Sequence, residues 1–284
     1  MILVVGATGT VGSEVIAALR ARGVPVRALV RDAARGRAVL GESVDLAEGD
    51  LGDAAAVRGA FDGVARAFLL TPNGPDQLGH ERAVLDAAAA AGVERVVKLS
   101  AISADPGSPA SFLASQGRAE ALLTSSGLPA VVLRPNFFMS GLLAAAETVR
   151  AEGRIYGTFG DGPLAMVHPR DIGESAAAAL LDPGHAGHTH VLSGPEVVTY
   201  ADAAGRLGAL LGRPVEYVDV PPDGLRGVLS AAGLPGWLVE GIVEIQAQVR
   251  AGIAGTTTDG VELLAGHPPR DLDDYLRENL AAFA

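Results

Sequence analysis

The sequence predicts an α/β protein: a doubly wound parallel sheet followed by a smaller α/β C-terminal subdomain. Three observations carry this expectation. Short apolar runs alternate with alanine-rich helical stretches from the first residues to about residue 135. The first run, Ile2 to Val5, is apolar throughout, as a strand covered on both faces must be. Gly6, Gly9 and Gly12 follow at once, and then an amphipathic stretch from Ser13 to Arg22. Strand, glycine turn and helix in that order are the phosphate-binding unit of a Rossmann-type fold. Gly6 permits the tight turn, Gly9 lets a pyrophosphate approach the backbone, and Gly12 allows close helix–strand packing. The N–H groups at the helix start would hold the phosphates, helped by the helix dipole. The spacing, G-x-x-G-x-x-G, is one residue longer at the front than the usual fingerprint. Gly6, Thr8, Gly9, Thr10, Val11 and Gly12 are the expected dinucleotide loop.

The remaining elements follow in order. Val26 to Val30 reads as the second strand and runs into a basic stretch, Arg31 to Arg37. Sites that prefer NAD carry an acidic residue about 20 positions after the glycines, to bind the ribose 2′-hydroxyl. Here Arg31 holds that place, with Arg35 and Arg37 close behind and Asp32 as the contrary residue. Guanidinium groups pair with a 2′-phosphate, so NADPH rather than NADH is the expected cofactor. Val44 to Glu48 is the third strand, and Gly49-Asp50-Leu51 lies where such folds hold the adenine. Asp53 caps the next helix. Arg66 to Leu70 is the fourth strand, with Thr71-Pro72-Asn73-Gly74 as its exit loop. Gln77 to Ala91 is a helix closed by Gly92, and Arg95 to Leu99 the fifth strand. Phe112 to Ser126 is a helix stopped by Gly127, and Ala130 to Leu133 the sixth strand. Asp50, Leu51, Thr71, Pro72, Lys98 and Pro135 complete the expected cofactor contacts.

From Arg134 the rhythm changes. Residues 1–135 form the expected nucleotide-binding core and 136–284 a substrate-binding cap, which returns one helix and one strand (about 165–193) to the core. Asn136, Phe137, Phe138 and Met139 are placed to line a substrate pocket. A helix follows to Arg150, then a turn-rich stretch around Tyr156. Asp171 caps a helix to Leu181, and His190 to Leu192 is a further strand. Helices at about Tyr200–Leu211, Asp223–Ala232, Trp237–Ala251 and Leu272–Phe283 and a strand at Val215–Val220 complete the chain.

Composition excludes several function classes. The formal net charge of −11 argues against nucleic acid, whose phosphates need a cationic face. Without cysteine there is no disulfide, no thiolate catalysis and no Cys-ligated metal, which fits a cytoplasmic chain. No stretch is long and apolar enough for a membrane span, and the N-terminus reads as a strand rather than a signal peptide. His185, His188 and His190 lack an acidic or Cys partner and run into a strand, so no metal site is expected. His168 reads as a structural histidine. An acidic, apolar-rich chain of this size is compatible with a homodimer.

GATGTVG, the arginines after the second strand, SSGLPAVVLRPNFFM (Ser125 to Met139), VHPRDI (Val167 to Ile172) and GPEVVTYADAA (Gly194 to Ala204) together resemble the NmrA-like family of atypical short-chain dehydrogenases/reductases. The likeness extends through GRPVEYVDVPP and is greatest to members of NAD(P)H:quinone oxidoreductase type. The resemblance implies a nicotinamide-dependent reductase, although the family also holds NADP-binding regulators without known turnover. Better-known relatives use Tyr-x-x-x-Lys on one helix face. None of Tyr156, Tyr200, Tyr217 and Tyr275 has lysine four residues on, and the equivalent helix carries Gln116 and Glu120 instead. Ser100 and Ser103 fall where the superfamily places a serine; Ser100, Gln116 and Tyr156 are the catalytic candidates. Quinone reduction needs less, because the product oxygen has a pKa of about 10 and solvent can protonate it. The leading expectation is hydride transfer from NADPH to a quinone or similar conjugated small molecule. A non-catalytic NADP(H)-binding redox sensor, or a tailoring reductase for a polycyclic aromatic substrate, are the alternatives.

Overall fold

In the computed structural model, which describes residues 1–284, seven parallel strands form one sheet and two more form a small second one. The chain runs β1 (Ile2–Val4), α1 (Thr10–Ala21), β2 (Val26–Val30), α2 (Ala33–Leu40), β3 (Asp45–Glu48), α3 (Ala54–Ala60) and β4 (Arg66–Leu69). It continues with α4 (Gln77–Ala90), β5 (Arg95–Leu99), α5 (Ser111–Ser125) and β6 (Ala130–Pro135). A 3-10 turn (Met139–Ala145) leads into α6 (Ala146–Glu152), β7 (Arg154–Gly157), α7 (Pro169–Leu181), β8 (Thr189–Leu192), α8 (Tyr200–Leu211) and β9 (Glu216–Asp219). Last come α9 (Pro222–Ala231), α10 (Gly236–Arg250), α11 (Gly260–Ala265), α12 (Leu272–Glu278) and α13 (Leu280–Phe283).

The large sheet has the order β3-β2-β1-β4-β5-β6-β8, so the winding reverses between β1 and β4. That reversal opens a crevice beyond the carboxyl ends of the strands, the usual ligand position in such folds. Strands β1 and β5 are buried along their whole length; β1 is accordingly apolar throughout, and the two charged residues of β5, Arg95 and Lys98, are held by buried hydrogen bonds. One sheet face is covered by α1 and α7, whose cores join through Val11, Val15, Ile172 and Ala176. A side chain at Gly173 would lie 2.7 Å from the Glu14 carbonyl carbon, so glycine sets that helix approach. The other face is covered by α3, α4 and α5. A third apolar cluster, around Met139, Leu142, Ile155, Leu164, Leu207 and Leu276, holds the C-terminal layer together. No helix is long and apolar enough to cross a membrane.

Several local expectations are corrected. The basic stretch after β2, which the sequence leaves unassigned, enters a helix, α2, from Ala33, because Asp32 caps it by accepting from the Arg35 N–H at 2.9 Å. The stretch around Tyr156 is a strand, β7, paired in parallel with β9 more than 60 residues on, which no local signal reveals. Asp171 does not cap α7. His168 does, its Nδ1 accepting from the Arg170 N–H at 3.0 Å, with Pro169 at the first helical position. Asp171 sits in the first turn, fully buried, and accepts from the Arg270 N–H (2.8 Å) and guanidinium. The last predicted helix breaks at Asn279 into α12 and α13.

Lys98, the only lysine in the chain, is also corrected. It lies wholly buried on β5, and its Nζ donates to Glu81 Oε1 on α4 at 2.6 Å instead of facing the crevice. The Thr71 hydroxyl donates to the same oxygen at 2.8 Å, tying the β4 exit loop to the pair. Removing one partner of a buried pair leaves an uncompensated charge. Lys98→Met is therefore expected to lower stability by about 3–5 kcal/mol in urea unfolding, and adding Glu81→Leu to restore most of the loss.

Candidate active site

Gly6 adopts φ +77°, and a Cβ there would lie 2.5 Å from the Leu70 carbonyl oxygen. A Cβ on Gly12 would lie 2.1 Å from the Gly6 carbonyl oxygen. These two glycines bring β1, the β4 exit and the start of α1 into backbone contact. Gly9 differs: its Cβ would have only one neighbour, Gly6 oxygen at 3.4 Å, and would project toward open space. Helix α1 starts there with no side-chain cap, and the N–H groups of Thr10, Val11 and Gly12 find no acceptor in the protein. The helix end thus presents unpaired donors and its positive dipole end to the crevice.

That crevice, about 380 Å³, is lined by Gly6, Thr8, Gly9, Arg31, Asp50, Leu51, Leu70, Thr71, Pro72 and His80. Eight predicted cofactor residues therefore meet in one place: Gly6, Thr8, Gly9, Arg31, Asp50, Leu51, Thr71 and Pro72. Thr10, Val11 and Gly12 open α1 behind the loop, with Val11 and Gly12 packed inward. Arg31 is exposed at the rim, and Arg35 stands in the first turn of α2 outside the lining. His80, which the sequence reading missed, lines the crevice from the first turn of α4, and its Nδ1 has no partner.

A second cavity, about 280 Å³, lies beside it beyond the ends of β5 and β6. Leu70 and Thr71 belong to the walls of both. Its lining is apolar and aromatic (Phe112, Leu113, Phe137, Phe138, Ile245) with a few neutral polar groups and no charged side chain. Pro135, expected at the cofactor, lines this cavity instead because it closes β6 one strand further along the sheet. Phe112 meets Trp237 edge-on at 6.4 Å, which brings α10 over the mouth. Phe112 and Ile245 were not legible as lining, since the start of α5 and the middle of α10 meet at the cavity only through the tertiary fold.

The polar residues divide by what they already bond. Asn136 lines the cavity but uses both ends in the fold: Nδ2 donates to the Ala254 carbonyl (2.9 Å) and Oδ1 accepts from the Phe137 N–H (2.7 Å). Ser100 donates to Glu120 Oε1 at 2.5 Å, and Arg134 grips Glu120 through Nε (2.9 Å) and Nη2 (2.5 Å). This hydrogen-bonded carboxylate holds the Arg134 guanidinium above its ordinary range. Gln116 lies along the wall, Nε2 toward Asn73 Oδ1 at 3.5 Å. Met139 does not join the site: the 3-10 turn begins at it and buries it in the C-terminal cluster, 1% exposed. Tyr156 does not either; it is solvent-facing on β7 and donates to Glu152 at 2.5 Å. Ser103 is exposed at φ 55° and lines neither cavity.

One cluster of three acidic or histidine side chains converges, Asp171, Glu174 and His267. The Arg270 guanidinium already fills it, pairing with Asp171 and with Glu174 (3.1 Å). Burial opposes charge on Glu174, but Arg270 and His267 outweigh it and hold its carboxyl below the usual range. The group is a tie between α7 and the chain before α12. His185, His188 and His190 lie ring to ring at 5.2 and 6.1 Å. Burial and its two neighbours lower the His190 pKa.

The model of the NmrA-like family matches residues 1–266. An NAD(P)H azoreductase of Xenophilus azovorans is 35% identical over 283 residues, covering 100% of this chain and 99% of that protein. A (4-alkanoyl-5-oxo-2,5-dihydrofuran-3-yl)methyl phosphate reductase of Streptomyces griseus is 38% identical over 285 residues, covering 100% and 99%. The structure of an NADPH-dependent quinone oxidoreductase of Escherichia coli, complexed with NADPH, superposes with a TM-score of 0.89 at 28% identity, over 98% of this chain and 99% of that one.

The two glycines separate fold from ligand space. Gly12→Ala is expected to destabilise the protein by several kcal/mol, because the methyl meets backbone. Gly9→Val should leave the melting temperature within a few degrees while filling the crevice. A thermal melt of both variants checks the contrast.

Proposed function

The chain belongs to the NmrA-like family, and on that premise we propose that it is an NADPH-dependent oxidoreductase that transfers hydride to a quinone or similar conjugated small molecule. The observation that carries this reading is the shared wall, Leu70 and Thr71, between the two cavities. A dinucleotide laid along the first crevice would bring its nicotinamide to the mouth of the aromatic second one. The donor set fits the group: unpaired N–H at the start of α1, open space at Gly9 and an exposed cation at Arg31.

Bound NADPH supplies the hydride. The chain supplies placement and surroundings. In this reading the N–H groups of α1 hold the pyrophosphate, Arg31 pairs with the 2′-phosphate, and Arg35 adds positive charge one turn away. Asp50 and Leu51 border the adenine side, where Asp50 is held by the Gly52 N–H at 2.8 Å. Phe112, Phe137 and Phe138 hold a flat ring against the nicotinamide side, and positioning of this kind is itself a large part of a rate enhancement. No titrating group lines the second cavity. The reaction must therefore be one whose product oxygen solvent can protonate, and a phenol-like oxygen with a pKa of about 10 satisfies this. Similarity to an azoreductase and a quinone oxidoreductase supports a conjugated acceptor. The uncharged lining disfavours a phosphorylated one, and a ring-sized cavity at the nicotinamide end favours turnover over a sensing role alone.

The test is the loss of reduced-nicotinamide absorbance with a panel of simple quinones. Enzyme-dependent loss, faster with NADPH than with NADH, is expected; binding of NADPH with no turnover of any quinone would overturn the catalytic reading. Arg31→Asp is expected to weaken NADPH binding at least tenfold, about 1.5–3 kcal/mol for a charged hydrogen bond, while NADH changes by less than twofold. Equal loss for both cofactors would show that Arg31 does not read the 2′-phosphate.

A further inference from the structure

The buried side chains Ser100 and Gln116 give the second cavity an acceptor character at its inner wall. Ser100 is 6% exposed and Gln116 7%, and both border it. Glu120, fixed by the two-point grip of Arg134, is a carboxylate and can only accept. The Ser100 hydroxyl must therefore give its hydrogen to Glu120. No group in the protein donates to Ser100 Oγ, so its lone pairs are left for the cavity. Gln116 directs Nε2 to Asn73, and its Oε1, enclosed in the wall, has no partner. Asn136 is engaged at both ends and the Thr71 hydrogen by Glu81, while Asn73, exposed at the rim, keeps its Nδ2 hydrogens for solvent. Buried acceptors without donors are unfavourable until a ligand supplies the donor.

We propose that Ser100 determines specificity by accepting a hydrogen bond from a hydroxyl or N–H on the ring of the substrate, so that the cavity selects hydroxylated aromatic rings over their ethers. Ser100 then has the opposite role from a serine that donates to a substrate carbonyl. The Arg134–Glu120 pair acts through it, fixing the direction of its hydrogen. The inference rests on reading the second cavity as the substrate site, but its test does not depend on turnover.

The measurement is calorimetric binding of 1-naphthol and of 1-methoxynaphthalene to the full chain saturated with NADP+. Wild type is expected to bind the naphthol about tenfold more tightly, ~1.4 kcal/mol. Ser100→Ala should reduce that ratio to near one, and Ser100→Thr should keep it. Comparing the ratio between variants removes the difference in bulk between the two probes. A ratio near one in wild type, a ratio that survives Ser100→Ala, or failure of both probes to bind overturns the assignment. Quinone turnover with no hydroxyl preference sinks this assignment alone. A hydroxyl preference without turnover of any quinone sinks the hydride-transfer reading alone.

Discussion

The backbone contact between Gly12 and Gly6 is the constraint on which the rest depends. A single methyl at either position would collide with a carbonyl oxygen, at 2.1 or 2.5 Å. Only with both side chains absent can α1 start directly over the end of β1 and beside the exit of β4. That start lies at the reversal of strand order, where neighbouring loops diverge and leave room. Hence the unpaired N–H groups of α1, a local property of any helix end, become a ligand-facing feature through sheet topology.

Beneath the junction of the two cavities runs a buried polar arrangement. Lys98, Glu81 and Thr71 meet at one carboxylate oxygen, joining β5, α4 and the loop that walls both cavities. Ser115 on α5 donates to Gln77 on α4 at 2.8 Å, on the same side of the sheet. A buried ion pair adds little net stability, since desolvation offsets most of its attraction. Its value here is geometric: it fixes the exit of β4, and with it the shared wall. Arg134, Glu120 and Ser100 do the same one strand further on, where the hydrogen bonds set the direction of a hydroxyl rather than the path of a loop.

The C-terminal layer completes the second cavity from one side. Phe137 and Phe138 leave the end of β6, and Ile245 arrives from α10, so the walls come from segments more than 100 residues apart. The layer is anchored by the core around Met139 and Leu164 and by the Asp171–Arg270 tie. A Cβ at Gly241 would lie 2.2 Å from the Phe112 ring, which sets how closely α10 approaches α5.

What the sequence determined by itself was the alternation of strands and helices, the glycine turn and the cation after β2. Each of these is a local pattern: apolar periodicity, backbone freedom and charge, all legible over a few residues. Even there a cap decided one case, since Asp32 turned a basic stretch into a helix. The tertiary structure alone decided which atoms remain free. Asn136 and Lys98 carry the right chemistry in the right region, yet the fold uses their polar groups. Met139 points into a core and Tyr156 onto a strand whose partner lies far along the chain. His80 and Ile245, with no local signal, were brought to the cavities by helix packing. Hydrogen-bond partners and cavity walls depend on contacts between distant segments, and local sequence does not encode those one residue at a time.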